Sequence, residues 1–485
     1  MKDTLKRSIQ ENTDIIKQKF NNTADLKFRE ITIGTDNDNR LCVVYLDGII
    51  DTNFLQESVI EPIIRASFNN RLMEDNVINY VSNSILTIAS VKQLKSITEA
   101  VDGIIQGNAV LLFDGNLVAI MVDVTKWAER SLEEALGERS LRGIVLGFSE
   151  KAKTNINVLR GIIKTEQLCV DKMTFGTIAK SDVYLLFIKG VVDSGVLQEV
   201  RDRLHNTDVK YILEARIFED ILEGKQKTIF PIVKPTDRPD IAASALFEGR
   251  VLVVVDGTPQ VIIAPSLFVE YLQSPGDYYL KYGRFLNRFI RFFAFLSSIF
   301  LPGIYLALDK YAKENFPNKL YETLITKDEL LPTIWEILIL NILLRIFFDA
   351  VLRIPKSTVL IISLLGSILL GETAVSAKLI HPISLLIIGI SFISAALLAN
   401  KGLGSAIDPL RFVFIFLGYF FGFNGLIIGM TILVLHLTSL KSIGVPYLSP
   451  LIPLRINELK DVVYRGDLKT LLNSKHSFHE ENKRE

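Results

Sequence analysis

The chain has little with which to do covalent chemistry. Two cysteines in 485 residues, Cys42 and Cys169, cannot build a disulfide framework. Both stand beside apolar, strand-like runs, where a thiol behaves as a small buried hydrophobe. The 5 histidines, His205, His381, His436, His476 and His479, are scattered and make no ligand-spaced cluster, so no metal is expected. There is no phosphate loop, nucleophile elbow, zinc-protease helix or dinucleotide fingerprint, so no cofactor is expected and an enzyme has the least support. An excess of one charge is lacking as well. The 54 basic residues balance 54 acidic ones, which gives nucleic acid no electrostatic grip. The opening "MKDTLKRSIQENTDIIKQKF" is charged throughout and lacks the apolar core of a signal peptide.

What the chain does have is unevenly spread. The 49% hydrophobic content alternates with charge up to about residue 280, as in soluble domains, and after residue 291 long uncharged stretches take over. This predicts a membrane protein with a large N-terminal soluble region.

Within the soluble region a single pattern occurs twice. "GNAVLLFDGNLVAIMV" (Gly107 to Val122) reads as a β-hairpin around Asp114-Gly115, and "GRVLVVVDGTPQVIIA" (Gly249 to Ala264) reads the same way around Asp256-Gly257. The two turn glycines stand 142 positions apart (257 − 115), and Gly48 and Gly190 keep that offset inside "VYLDGIIDTNFLQE" and "LFIKGVVDSGVLQE". Ile31–Gly34 and Met173–Gly176 keep it too, which predicts two duplicated α/β sheet units. Strands are expected at Ile31–Gly34 and Leu41–Leu46, with a helix from Thr52 to about Ala66. The recurring aspartates invite a metal or carboxylate reading, but their contexts are structural. Asp114 and Asp256 precede a turn glycine, and Asp51 and Asp193 stand where a helix N-cap belongs. The run Asp36 to Arg40 lacks the glycine of a calcium loop and reads as a polar turn.

The membrane region begins with "DYYLKYGRFLNRFIRFF", where Arg284, Arg288 and Arg291 share one helical face among aromatics. That pattern suits the headgroup zone and a cytoplasmic start. Phe292 to Leu308 follows without a charge, at the short end for a span, with Pro302-Gly303 permitting a kink. The next segment, from Pro332, carries Glu336, Asn341, Arg345, Asp349 and Arg353. The last four step by four into one polar stripe in which Arg345 and Asp349 can pair. Such a stripe should face protein or water, either as an ion-pair seam between helices or as the wall of an ion pathway. In the third segment Ser363, Gly366, Ser367, Gly371, Ala374 and Ala377 share a small-residue face, which permits either close helix approach or an open pore; as a pore lining, the small face or the Leu370 region would form the constriction. A fourth span covers Pro382 to Ala399. Phe412 to Leu440 is uncharged and too long for one upright span, so a helix broken near Asn424-Gly425 or two short arms are both open.

The fold class is therefore α+β/α: two duplicated cytoplasmic α/β sheet domains followed by a multi-span α-helical membrane domain. The expected divisions are a first α/β unit (1–125), a helical connector (126–169), a second α/β unit (170–268), a basic aromatic interfacial helix (269–291), a transmembrane region (292–440) and a polar tail (441–485).

The stretches "REITIG", "YLDGIID", Arg142-Gly143, Gly147 to Glu150, Asn155 to Arg160, "TDRPD", "ALFEGRVLVVVDGTP", "QSPGDYY", "LRIP" and "GVPYLSP" occur in this order along the chain. Together they resemble the A subunits of spore germinant receptors, the GerA family. Most of these are also similar to the related SpoVAF-type spore membrane proteins. The resemblance implies a subunit in the inner membrane of the spore, beside a transporter-like B subunit and a C-subunit lipoprotein. It implies a ring-like homo-oligomer in the lipid bilayer, acting as a nutrient-controlled cation channel that triggers germination. The alternative is a non-conducting scaffold that assembles those partners. The family tends to carry further acidic residues about where Asn341 and Arg345 stand, so this chain has changed that feature.

Overall fold

The computed structural model describes residues 3–33, 39–68, 77–126, 146–274, 284–311, 331–353, 366, 372–398 and 401–455. Much of the expected connector, the first three residues of the polar turn, most of the small-residue face and the end of the tail lie outside them, while Asn39 and Arg40 of that turn begin a strand.

Two five-stranded antiparallel sheets make up the N-terminal half. In the first, β1 (Leu26–Ile33), β2 (Asn39–Leu46), β3 (Val91–Leu94), β4 (Asn108–Phe113) and β5 (Ala119–Asp123) stand in the order β1-β2-β4-β5-β3. In the second, β6 (Leu168–Phe175), β7 (Ser181–Ile188), β8 (Lys234–Thr236), β9 (Val251–Val255) and β10 (Val261–Ala264) stand in the order β6-β7-β9-β10-β8. The registers coincide at the offset read from the sequence. Leu41 opposes Phe113 as Val183 opposes Val255, and Ala109 opposes Val122 as Val251 opposes Ala264. The central strands β4 and β9 are buried throughout, so both faces of each sheet are covered.

The turn aspartates also serve helices elsewhere in the chain. Helix α1 (Ile9–Lys19) starts against the first hairpin, where Asp114 Oδ1 accepts the Ile9 N–H at 3.2 Å. Helix α2 (Ala152–Ile162) starts against the second, where Asp256 Oδ1 accepts the Ala152 N–H at 2.9 Å. Each carboxylate satisfies one of the N–H groups that a helix start leaves without an intrahelical acceptor. Asp51 and Asp193 are N-caps, accepting from Asn53 and Phe54 and from Gly195 and Val196. The helix after Asp51 runs from Thr52 to Phe68 with a π-helical stretch at Gln56–Ile60. The second sheet reaches further back than its expected edge at 170. Strand β6 begins at Leu168, and α2 buries Ala152, Ile156 and Leu159 in the core shared with β7 and β9.

Both cysteines are buried, Cys42 on β2 and Cys169 on β6. Burial, with a smaller push from the Glu30 carboxylate, lifts the Cys42 thiol to about 12, and burial raises Cys169 as well. Since the thiolate is the nucleophile, neither should be alkylated by iodoacetamide at pH 8 in the folded protein. Unfolding in denaturant should expose both, as mass spectrometry would count.

In the C-terminal half, α3 (Arg284–Tyr311) and α6 (Lys401–Ser439) each contain a stretch long and apolar enough to cross a membrane. Between them lie α4 (Thr333–Arg353) and α5 (Pro382–Leu397). Helix α6 is two arms of a hairpin. Gly422, at φ 57° and ψ −144°, leaves helical geometry. Beyond it the chain turns back, so that Gly429 lies against Leu417 and Phe414. The break falls two residues before Asn424 and yields two antiparallel arms. Both ends of the hairpin return to the second sheet unit. Gly402 meets Pro231 and Tyr271, and past the second arm Gln226 exchanges hydrogen bonds with the Lys441 backbone. The glycines Gly303 and Gly418 let the backbones of α3 and the first arm touch, with no room for a Cβ.

Candidate functional site

Two polar assemblies stand out in the C-terminal half. The first is the joint between the second sheet unit and the helices. Arg250 pairs with Glu270 at 2.5 Å, and both are buried. Glu270 also accepts from the Leu267 N–H at 3.0 Å and from Ser266 Oγ at 3.3 Å. Tyr271 donates to the Val233 carbonyl at 3.0 Å, and burial pushes its phenol up, so it stays a neutral donor. The residues after α6 close this joint. Ser442 Oγ accepts the Ser266 N–H at 2.9 Å, the Tyr447 carbonyl accepts the Phe268 N–H at 3.0 Å, and Ile443 and Val445 enter the core of the second sheet. The expected polar tail thus begins as a buried clasp, because its apolar residues fill the space between sheet and hairpin.

The second assembly lies inside the helices, and a proline creates the need for it. Pro302 stands within α3 and has no N–H, so the carbonyl of Ser298, four residues earlier, has no partner in its own helix. Two groups from other helices satisfy that carbonyl. Arg411 Nε of α6 donates to it at 2.7 Å and Ser391 Oγ of α5 at 2.8 Å. Arg411 is 1% exposed. Its Nη1 donates to Asn341 Oδ1 of α4 at 3.1 Å and reaches Asp408 at 3.4 Å, and its guanidinium lies 4.3 Å from the Phe392 ring centre. Asp408 in turn pairs with Arg345 of α4. One buried guanidinium thereby ties these four helices together. A buried charge is tolerated when it is paired and hydrogen-bonded.

The sequence-predicted stripe is divided by this packing. Glu336 and Asn341 are buried, and Glu336 Oε2 accepts from Ser384 Oγ at 2.6 Å and from the His381 N–H at 3.1 Å. Arg345 pairs with Asp408 rather than with Asp349, and Asp349 pairs with Arg353 at 3.1 Å. The expected Arg345–Asp349 pair fails because Asp408 is presented to Arg345 from the facing helix. Among the pore-lining candidates, Ser363, Ser367, Leu370 and Gly371 lie outside the described residues. Gly366 faces Phe347, and Ala374 is half-buried in a short helical turn. Arg284 is the first residue of α3, Arg288 is buried, and Arg291 donates to the Leu272 carbonyl at 3.2 Å. Two of the three arginines thus turn toward protein, while Phe289, Phe292 and Phe293 are exposed.

Sequence reasoning missed Asp408 and Arg411. Their signal was opposite charges one turn apart at the head of the longest uncharged run. The other signal was Pro302 inside an expected helix, which removes the N–H that the Ser298 carbonyl would otherwise accept.

Comparison with known proteins adds relatives to this geometry. The family model described as Bacillus/Clostridium GerA spore germination protein matches residues 14–477. Spore germination protein KA of Bacillus subtilis (strain 168) is 32% identical over 94% of this chain and 84% of its own length. The membrane protein YfkQ of the same organism, described as uncharacterized, is 30% identical over 96% of this chain and 90% of its own. Among solved structures, the crystal structure of the N-terminal domain of the A subunit of the Bacillus megaterium spore germinant receptor GerK3 is 32% identical. It covers 55% of this chain and 97% of that one, with a TM-score of 0.44.

Proposed function

The chain belongs to the Bacillus/Clostridium GerA spore germination protein family, and from that premise we propose that it is the A-type membrane subunit of a nutrient germinant receptor in spores. In this reading copies of the chain surround a wet axis in the inner spore membrane and conduct cations when nutrient is sensed. A transporter-like B subunit and a C-subunit lipoprotein are its partners. The two sheet units, which repeat one register at one offset, are products of tandem duplication. They stay on the cytoplasmic side with α3's arginines and offer each copy two related faces for its neighbours.

The observation that carries the reading is the outer face of α4. The side chains of Asp349 and Arg353 are 55% and 77% exposed on a helix that also exposes Ile342, Leu343, Ile346 and Phe348. A charge at the centre of a bilayer costs about 2.5–3.5 kcal/mol. A face carrying both kinds of group is better suited to water or to another copy than to lipid. The joint supplies a route from the sheet units to this face, since α6 meets the second unit at both ends, at Gly402 and past Ser439, and is paired to α4 through Asp408 and Arg345.

A non-conducting scaffold is the second reading. It is favoured by Glu336 and Asn341, whose hydrogen bonds are made inside the chain rather than toward an aqueous path. Asp349→Asn separates the two. A channel wall should assemble normally and change cation flux several-fold in liposomes, whereas a scaffold should lose its assembly. Imaging the purified protein in nanodiscs should reveal a closed ring with an axial cavity, and a monomer or a dimer without one would overturn the channel.

A further inference from the structure

The folded-back α6 encloses more than a turn. Between its arms lies a groove of about 720 Å³, within the range of about 300–1,000 Å³ common for ligand sites. Its walls are apolar, formed by Val413 and Leu417 on the first arm and Ile432 and Leu433 on the second. Gly429 adds no side chain of its own to the floor. The groove opens to the outside, and Val413 and Ile432 are 51% and 61% exposed.

The end nearest the sheet unit differs. There Lys227 and Thr228 close the groove, with Thr228 Oγ1 3.1 Å from Nε2 of His436. Lys227 is exposed, as are Lys225 and Lys441. Gln226, between the first two lysines, bonds the Lys441 backbone at 2.6 and 3.2 Å, so the backbones of the three lysines lie close together, and Lys227 is the one that lines the groove. Among the described residues, no carboxylate lines the groove. This is also where the uncharged run ending at Leu440 gives way to charge, the level at which headgroups meet a membrane helix.

We propose that this groove holds one anionic phospholipid, its acyl chain between the arms of α6 and its phosphate at Lys227. The shape and the charge argue together. An apolar slot closed at one end by Lys227 matches a molecule with an apolar tail and an anionic head, and attraction of lysine to anionic lipid headgroups supplies the preference. A bound lipid would brace the hairpin at the joint with the sheet unit. The proposal rests on the membrane placement given above.

The test is native mass spectrometry of the full chain released from mild detergent, with phosphatidylglycerol and phosphatidylethanolamine supplied in equal amounts. Wild type should retain one lipid, phosphatidylglycerol about tenfold over phosphatidylethanolamine. Ile432→Trp, at an exposed site where a larger ring fills the groove without disturbing the core, should abolish retention. Lys227→Glu should erase the preference for the anionic lipid. Equal retention by all three proteins, or no headgroup preference in wild type, would overturn the proposal. So would an Ile432→Trp protein that keeps its lipid but changes oligomeric state, since the groove would then be a protein interface. Carbonate extraction of the source membranes is scored separately. Release of the chain there would sink the membrane placement itself, whereas a retained chain with an empty groove would sink only the lipid.

Discussion

Arg411→Leu should cost the helical half about 3–5 kcal/mol, because removing one partner of a buried charged network leaves the others stranded. The stranded groups are specific. Asn341 Oδ1 loses its donor, Asp408 keeps only Arg345, and the Ser298 carbonyl keeps only Ser391. The measurement is thermal unfolding in detergent, with Pro302→Ala as the second arm of a double-mutant cycle. Alanine at 302 restores the N–H that a helix directs at the carbonyl four residues back. In the Arg411→Leu background it should return about 1 kcal/mol beyond its effect in wild type, the net worth of one hydrogen bond. Strict additivity would mean that the guanidinium and the proline are independent, and the account of why this arginine is buried would fall.

Arg160→Leu should have an effect of the same size in the N-terminal half. Arg160 on α2 grips Asp25, just before β1, with two parallel bonds of 2.9 and 3.0 Å, and both residues are buried. Thr23 completes the clamp, donating to Asp25 at 2.6 Å and accepting the Val170 N–H of β6 at 2.9 Å. The Ala24 N–H reaches the Val170 carbonyl at 2.8 Å, so this clamp, with the neighbouring Lys153–Asp47 pair, fastens the first sheet unit to the second. Leucine would leave the Asp25 carboxylate buried without its cation, at a cost of about 3–5 kcal/mol. Amide exchange at Ala24 and Val170 should accelerate well before the sheet cores open. Arg160→Lys should fall between, since an ammonium cannot make the paired bonds. A loss below about 1 kcal/mol would place the pair among ordinary surface ion pairs.

Neither assembly was legible as an assembly in the sequence. Arg160 appears there as one member of a family-like stretch, Asn155 to Arg160, and Asp25 as an acid outside any motif; nothing local joins residues 135 positions apart. Arg345 reads as the partner of Asp349 because a four-residue step is the strongest local rule for a helix. Asp408, 63 positions away, overrides that rule by facing Arg345 across a helix contact.

What the sequence by itself determined is what local chemistry and periodicity control. The Asp-Gly turns, the N-caps at Asp51 and Asp193, the offset of 142 (257 − 115) and the change from alternating to uncharged composition all lie within short windows of chain. Tertiary structure alone decided the reversal at Gly422, the return of the tail into the second sheet and the meeting of the Ser298 carbonyl, orphaned by Pro302, with Arg411. Each of these depends on which backbones approach closely enough to exclude water. In that dry space a single unmet carbonyl costs enough to fix where a charge from another helix must sit.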